Sequence, residues 1–362
     1  MTNGSYNDAY GYNALSTNIS AQRNVAIGYN ALSTFNLTTQ TDAYNTAVGN
    51  LAGAALTTGI GNTFVGGRAG DATDDGAYNT AVGYASLSAN CGNDNTAVGT
   101  GALEKTTGVS NTALGRAAGT EITSGINNTL IGSISGDALI DADYNVAVGA
   151  YTLTGDTYGS KATAIGYAAL QTQNFSTATD SYNTAVGAYA GVAVSTGIKN
   201  TIIGGNAGDA LTDANYNVVL GFGALTTDTL GSGSVAIGTD ALNAQNFTTG
   251  TTSYNVAIGL FAGTAVTTGI QNTLIGGLAG DALIDADFNV AIGVTALSTD
   301  TYGSRSTALG YGTLAAQNFT TATNSYNTAV GHEAGAVVAT GQYNTLIGGL
   351  SGDAITSGNS NV

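Results

Sequence analysis

The side chains that could carry out catalysis are few. The chain has one histidine, His332, with Glu333 beside it, and one cysteine, Cys91. A nucleophilic triad or a Cys–His pair needs an imidazole held against its nucleophile, and one histidine in a turn offers no such set. We expect an idle thiol at Cys91, no catalytic residues, no cofactor and no enzymatic activity.

Recurring acidic segments are the second chemical candidate. Asp137, Asp209, Asp281 and Asp353 each stand between a glycine and an alanine, and they recur with a 72-residue period. Carboxylates of this kind could bind Ca²⁺. The segments match neither the EF-hand loop nor the calcium-binding nonapeptide, and their spacing predicts a separation of about 19 Å. We favour turn caps and solvated surface, with Ca²⁺ binding as the alternative.

Composition and charge exclude several classes of partner. The 362 residues include 54 glycines and no proline, and 7 Lys+Arg stand against 23 Asp+Glu for a formal net charge of −16. A nucleic-acid binder needs a basic face, and anionic membranes repel such a chain. The sequence contains no run of 18 apolar residues and no basic-then-apolar leader, so we expect no membrane insertion and no signal peptide.

One short pattern fills the whole chain: an aromatic residue, Asn, Thr or Val, a small apolar residue, a branched apolar residue and Gly. We call its last residue the closing glycine. Most closing glycines follow a 17-residue spacing, two spacings are 16 and four are 21. From Gly166 onward the spacings repeat as a 72-residue cassette of four units. The twenty closing glycines are residues 11, 28, 49, 66, 83, 99, 115, 132, 149, 166, 187, 204, 221, 238, 259, 276, 293, 310, 331 and 348.

Short β-branched runs bounded by Asn and Gly predict strands and tight turns, and this glycine density disfavours helices. The fold class predicted is all-β: one continuous parallel β-solenoid over residues 1–362, with about twenty 16–21-residue coils. At about 4.8 Å per coil its length is roughly 95 Å. A second strand is expected in segments such as Tyr29-Asn30-Ala31-Leu32.

Because Asn361-Val362 resembles the start of another unit, we expect the sequence to be a piece of a longer chain.

Stacking of the coils predicts three ladders. The residue before the closing glycine is aliphatic in nineteen units and is assigned to the core, the residue four before it is Asn in 17 of 20, and the closing glycine itself permits a positive φ or a close backbone approach. The ladder residues named from the sequence are Val48, Ile258, Asn45, Asn183, Asn255, Gly49, Gly66, Gly187 and Gly259.

The residue two before the closing glycine is mostly alanine, but Leu130, Ile202, Leu274 and Leu346 occupy it at 72-residue intervals. Neighbouring strand residues point to opposite faces. With the aliphatic column in the core, this second apolar column would face outward and need a partner. We therefore expect these four residues at an interface between copies of the chain, in a homotrimer.

Each 21-residue unit carries an insertion, which we expect to protrude as a loop. The insertions offer contact residues for a host glycan or protein, namely Asn174, Phe175, Asn246, Phe247, Asn318 and Phe319. The alternative is a Thr-rich loop whose aromatic residue packs back on the solenoid. Tyrosines such as Tyr44 and Tyr254 flank the turns; we expect them to protect the core edge, although exposed rings would suit sugars.

At Asn45-Thr46-Ala47-Val48-Gly49 and Asn255-Val256-Ala257-Ile258-Gly259, the repeat resembles two families over essentially the whole chain. One is the β-roll of trimeric autotransporter adhesin heads, which has a shorter period. The other is the repeats of bacteriophage tail fibres. The resemblance implies a homotrimeric fibre that presents a binding surface, located in the virion as a tail fibre. It also leaves open a secreted adhesin head at the cell surface and a self-assembling extracellular filament.

A remote alternative is an ice-binding solenoid. Six successive units carry threonine three residues before the closing glycine, and valine interrupts that column in later units. The six are Thr46, Thr63, Thr80, Thr96, Thr112 and Thr129.

Overall fold

Each coil contributes one three-residue strand to a parallel sheet. The computed structural model describes residues 4–362, in which there is no helix. The chain divides into two units, residues 1–182 and 183–362, and each unit has ten such strands. The all-β parallel solenoid, in which the 17-residue coil predominates, is confirmed; the single continuous domain stays a prediction.

The sheet strands of the first unit are Asp8–Tyr10, Val25–Ile27, Thr46–Val48, Thr63–Val65, Thr80–Val82, Thr96–Val98, Thr112–Leu114, Thr129–Ile131, Val146–Val148 and Thr163–Ile165. Those of the second unit are Thr184–Val186, Thr201–Ile203, Val218–Leu220, Val235–Ile237, Val256–Ile258, Thr273–Ile275, Val290–Ile292, Thr307–Leu309, Thr328–Val330 and Thr345–Ile347. Equivalent residues pair between neighbouring coils, as Ala257 does with Leu274.

Two-residue strands form a second ladder beside each 21-residue coil. In the first unit Ala21–Gln22 pairs with Thr41–Asp42, and Gly159–Ser160 pairs with Thr179–Asp180. In the second unit Gly231–Ser232 pairs with Thr251–Thr252, and Gly303–Ser304 pairs with Thr323–Asn324. In each pair the second strand follows the insertion of a 21-residue coil, and the first strand belongs to the coil before it.

The interior column of the sheet is not the one predicted. Ala47 and Ala257 have no exposed surface, whereas Val48 and Ile258, assigned to the core from the sequence, are only partly buried and face outward. The assignment of the aliphatic column to the core is therefore wrong. A three-residue strand places its middle side chain on one face and its two ends on the other, and here the smaller side chain is inside.

The interior has room for a large middle residue only where the neighbouring turn position, four residues after the closing glycine, is glycine. Leu274 is fully buried, and a Cβ atom added to Gly263 or to Gly280 would lie 2.7 Å from one of its methyl groups. Both glycines stand four residues after a closing glycine, a position that is leucine in other coils, for example Leu242 and Leu297. Volume is thus exchanged between two interior columns, which keeps the core closely packed.

The four residues predicted to lie at an interface between copies of the chain are also interior residues. Leu130, Ile202 and Leu274 are completely buried inside their coils, and Leu346 is 5% exposed at the last sheet strand. They cannot contact another chain, because they fill the solenoid interior. The prediction was wrong because it followed from placing the aliphatic column in the core.

The closing glycines allow the coils to approach each other closely. Gly66 has φ +138, and a Cβ atom added to it would lie 2.5 Å from the backbone oxygen of Gly83 in the next coil. Gly49 and Gly259 have the same relation to Gly66 and Gly276. Both predicted reasons for glycine, positive φ and close backbone approach, are confirmed here; the obstructing atoms belong to the backbone, which cannot move aside.

The asparagine column forms a buried hydrogen-bond ladder, as predicted. The Asn45 amide nitrogen donates to Oδ1 of Asn24 at 3.1 Å, and the Asn62 amide donates to Oδ1 of Asn45 at 2.9 Å. The Asn45 side-chain nitrogen donates to the carbonyl of Gly59 at 2.9 Å. In the second unit Asn272 donates to Asn255 in the same way, at 2.9 Å. One amide group per coil therefore satisfies buried backbone groups that would otherwise be costly.

The predicted second strand is a run of turns. Asn30 and Leu32 have φ of +53 and +49, which are left-handed values and not strand values. The Leu32 amide still donates to the carbonyl of Ala52 in the next coil, at 3.1 Å. Two left-handed residues two positions apart curl the chain and direct Ala31 and Leu32 inward, where both are fully buried.

Candidate functional surface

The residues considered first for catalysis lie far apart in the sequence and in different settings. His332 is on the surface, stacked on Tyr311 with ring centroids 5.1 Å apart, and its Nδ1 is 3.9 Å from a carboxylate oxygen of Glu333. Cys91 is buried, 3.2 Å from the hydroxyl of Thr73. Burial raises the pKa of the Cys91 thiol, so the thiol stays protonated and unreactive at neutral pH.

The acidic segments do not assemble a metal site. Within residues 4–362, no three side chains of His, Cys, Asp or Glu come together as a group that could hold a metal ion. Asp137, Asp209 and Asp281 each have one buried carboxylate oxygen without a hydrogen-bond partner, and burial raises the pKa of all three. Asp353 is exposed. The geometry provides no ligand set for the Ca²⁺ interpretation.

The insertion loops fold back on the solenoid. Phe175, Phe247 and Phe319 are each only 6% exposed, so their prediction as exposed contact residues is wrong and the alternative, an aromatic residue packed against the coil, is confirmed. Asn174 and Asn318 are exposed, and their Oδ1 atoms accept hydrogen bonds of 3.0 and 3.1 Å from threonines of the preceding coil. Asn246 is half-buried, and its Oδ1 lies 3.4 Å from the hydroxyl of Thr229.

A buried carboxylate anchors each of these loops, a feature that sequence reasoning missed. Oδ1 of Asp300 accepts from the amides of Gly303 and Phe319, both at 3.0 Å, while Oδ2 accepts from Nε2 of Gln317. Asp300 has no exposed surface. Burial raises its pKa, and the three hydrogen bonds offset part of that rise. Asp156 and Asp228 anchor their phenylalanines in the same way, and the 72-residue recurrence of Asp and Gln was the available signal.

The outer face of the sheet carries two columns of side chains. One column, directly before the closing glycines, is aliphatic; the other, two residues earlier, is threonine or valine. We call these two columns together the outer strip. Ile27, Leu114, Leu220 and Leu309 are 41 to 48% exposed, and Ile347 is 71% exposed. The aliphatic column recurs in nineteen of the twenty coils and is unusual for a surface in water.

The residue five before the closing glycine, at a turn, is aromatic in ten of the twenty coils, and we call this column the aromatic ladder. Its rings point into solvent: Tyr44 is 58% exposed, Tyr216 58% and Tyr254 62%. This exposure meets the condition under which the rings would suit sugars, and their protection of the core edge stays a prediction. All of them have left-handed φ, such as +54 at Tyr44, which holds the rings outward.

Cations fill gaps between rings of the aromatic ladder. The Arg305 guanidinium carbon is 4.6 Å from the ring centroid of Phe288 and 6.0 Å from that of Tyr326, on either side of it. Arg23 lies between Tyr6 and Tyr44 in the same manner, at 5.1 and 5.8 Å. Cation–π attraction accounts for these sandwiches.

A gap in the aromatic ladder is open at Gly233. Gly233 stands between Tyr216 and Tyr254, and the cavity there has a volume of about 360 Å³ with Asn215, Ser232 and Thr252 also lining it. We call it the Gly233 slot.

Comparison with known proteins adds no relative: no protein-family model matches the chain, and no match was found among curated proteins. Within residues 4–362, no helix could cross a membrane.

Proposed function

We propose that the chain is a structural segment of a homotrimeric fibre, of the bacteriophage tail-fibre type, which holds a recognition surface at a distance from its base. The outer strip is the observation that carries the proposal. It is a periodic apolar surface that a solitary chain would leave in water.

Stiffness comes from bonds that run along the solenoid axis. Backbone hydrogen bonds join each coil to the next within each unit, and the asparagine ladder adds a buried side-chain rail beside them, as where the Asn289 amide donates to Oδ1 of Asn272 at 3.0 Å. Ten coils at about 4.8 Å make each unit roughly 48 Å long. Bending such a stack stretches many bonds at once, which suits a mechanical role.

The partner that covers the outer strip must have the same repeat. The aliphatic side chains recur once per coil, for example at Ile258, Ile275 and Ile292, so a covering surface needs a matching spacing to bury them all. A second copy of this chain, placed in parallel, has that spacing. In a closed ring of three copies around one axis, the outer strip of every chain is covered by the other chains and no strip remains exposed. The resemblance to tail-fibre repeats supports the same assembly and its place on a virion.

The test is the mass of the particle in solution. Native mass spectrometry and sedimentation should give three chains, and electron microscopy should show a rod. Replacing Ile258 and Ile275 together by Glu places charge in the strip and should release monomers, whereas Thr249→Glu, in an exposed loop, should leave the trimer intact. A wild-type monomer or dimer would refute the trimer, and a trimer that survives the double substitution would show that the strip is not its interface.

A second candidate function is ice binding, because the threonines prove to face outward. In the first unit Thr46, Thr63 and Thr80 stand beside Val48, Val65 and Val82 on one sheet face, with pairing of equivalent residues. A regular array of hydroxyl and methyl groups of this kind could hold water molecules in an ordered layer, which binding to an ice surface requires. A thermal-hysteresis assay decides it: hysteresis lost in Thr63→Lys supports ice binding, and its absence in the wild type eliminates it.

A further inference from the structure

We propose that the Gly233 slot binds one pyranose ring of a neutral glycan, held between Tyr216 and Tyr254. The inference deepens the recognition part of the proposed function and rests on it. Four equivalent positions, one in the unit before each 21-residue unit, carry the argument.

The first step is a comparison of those positions. The residue five before the closing glycine that precedes the insertion is Arg23, Lys161, Gly233 or Arg305. Three of the four therefore place their own cation in the aromatic ladder, and only Gly233 leaves the place vacant. The backbone permits a side chain there, because φ is +71 at Gly233 and +63 at Arg305.

The second step concerns charge. Each cation has a polar partner in the next coil: Arg23 lies 3.0 Å from Asp42 and Lys161 lies 2.6 Å from Asp180. Arg305 donates to Oδ1 of Asn324 at 3.0 Å. At the position equivalent to these partners the Gly233 slot has Thr252. The cation and its acidic partner are both missing, so the slot is neutral.

The third step concerns size. Arg305 shows that one flat group fits between two rings that are two coils apart, at 4.6 and 6.0 Å from their centroids. Rings of one coil spacing stack directly, as Tyr326 and Tyr343 do at 5.3 Å. A pyranose ring midway between Tyr216 and Tyr254 would therefore lie about 5 Å from each, within the usual range for stacked rings.

The fourth step concerns the polar lining. Ser232, Thr252 and Asn215 line the slot. The Thr252 methyl group would lie 3.2 Å from a Cβ atom added to Gly233. The Asn215 side chain accepts from the Ile198 amide and donates to the Asp213 carbonyl. Ser232 Oγ accepts a hydrogen bond from the Asn215 amide at 3.0 Å, so its proton remains available for a ligand. A sugar offers two apolar ring faces to the tyrosines and hydroxyls at its edge to Ser232 Oγ, which is the chemistry that the slot presents.

The first unit has a closed counterpart, which shows that a glycine in the aromatic ladder is not enough. A Cβ atom added to Gly61 would lie 2.7 Å from the Tyr78 ring, whereas one added to Gly233 would lie 3.8 Å from the Tyr254 ring. The Tyr78 ring therefore occupies the space next to Gly61, whereas the Tyr254 ring leaves space next to Gly233. The Gly61 position therefore serves as an internal comparison.

The experiment is saturation-transfer NMR with the full chain and a panel of neutral methyl glycosides of glucose, galactose, mannose and N-acetylglucosamine. At least one should show transfer, and Gly233→Arg combined with Thr252→Asp, which copies the pairs at Arg23 and Lys161, should weaken binding at least tenfold. Tyr216→Ala and Tyr254→Ala should have the same effect. Tyr78→Ala and Tyr326→Ala, at closed or filled positions, should not.

The proposal fails if no glycoside binds the wild type, or if the filled-slot variant binds equally well. It also fails if N-acetylarginine amide binds the slot and the glycosides do not, because the slot would then accept a cation. Native mass spectrometry of every variant reports the fibre assembly separately. If a slot variant loses glycoside binding but remains a trimer, the result tests the slot alone. If the wild type forms no trimer, the proposed fibre is refuted whether or not a glycoside binds.

Discussion

Leu274 occupies the space that a side chain at Gly263 would need, since a Cβ atom on that glycine would lie 2.7 Å from Leu274 Cδ1. The two residues belong to the unit that closes at Gly276, and they lie against each other inside the solenoid. Each leucine, isoleucine or phenylalanine in the strand column has a turn glycine on both sides, and each alanine in that column has a turn leucine on at least one side. The interior is thus filled by complementary side chains from two columns.

Leu274→Ala should lower the free energy of unfolding by about 2–5 kcal/mol, because it leaves a cavity between Gly263 and Gly280. Adding Gly263→Leu should restore part of the loss. The double substitution reproduces the native arrangement of Leu242, Ala257 and Gly263. Thermal melting followed by circular dichroism measures both effects.

The matched control for the glycine is Gly250→Ala, because a Cβ atom there meets no atom within 4 Å. Gly263→Leu alone should lower the melting temperature, and Gly250→Ala should leave it nearly unchanged. If the double variant proved less stable than Leu274→Ala alone, the volume exchange would be disproved.

Gly276→Ala should be strongly destabilising, by about 3 kcal/mol or more, because its Cβ atom would lie 2.5 Å from the backbone oxygen of Gly293 at φ +136. The neighbouring Gly277→Ala is the control, since the nearest atom to its Cβ is 3.9 Å away. Equal melting temperatures for the two variants would contradict the close-approach explanation.

Asn272→Ala should cost about 2–4 kcal/mol, because it leaves two buried backbone groups without partners. These are the amide of Asn289 and the carbonyl of Ala286, now bonded at 3.0 and 2.7 Å. Asn50→Ala, at an exposed position, should change stability little. Hydrogen exchange should also show faster exchange at the Asn289 amide; unchanged protection there would argue against the ladder.

Asp300 should make the solenoid more stable in mild acid than at neutral pH. Burial raises the pKa of Asp300 in the folded state, above the unfolded value of about 3.9, so the folded state binds the proton more tightly. Stability then rises as the pH falls from the raised pKa towards the unfolded one, and levels off below it. Asp300→Asn keeps an oxygen for the two amides but cannot titrate.

Melting temperatures at pH 7 and pH 4.5 should therefore differ less in Asp300→Asn than in the wild type. Thr320→Ala, an exposed change in the same loop, should retain the wild-type difference. If Asp300→Asn shows the full wild-type pH dependence, the buried carboxylate is not its source.

The spacing of the closing glycines was enough to predict parallel coils and the asparagine ladder, because both depend on backbone contacts that recur with the period. Which face of the strand is interior could not be judged from side-chain size at Val48 and Ala47 alone. The missing signal lay in another column: Leu130 and Leu274 each have glycines, such as Gly136 and Gly280, four residues after their closing glycine.

The loop and slot residues show a similar limit. Phe247 resembled a surface contact because it lies in an insertion, and only its bond to the buried Asp228 explains why it is inside. The Gly233 slot could have been found by aligning the 72-residue cassettes, in which Gly233 stands where Lys161 and Arg305 stand. The opening of the slot depends on the tilt of the Tyr254 ring, which no pattern of residue types specifies.

The pairing of large and small interior residues also restricts how such a chain can grow. Removing the coil that carries Gly280 and Ala291 would set Leu274 against Leu297, and two interior leucines in that space strain the core. Removing the coil that carries Leu297 and Ala308 would instead leave Ala291 between a glycine and a leucine, as it is now. Coils are therefore not equally dispensable, and a change in length by a whole cassette keeps every interior pair matched.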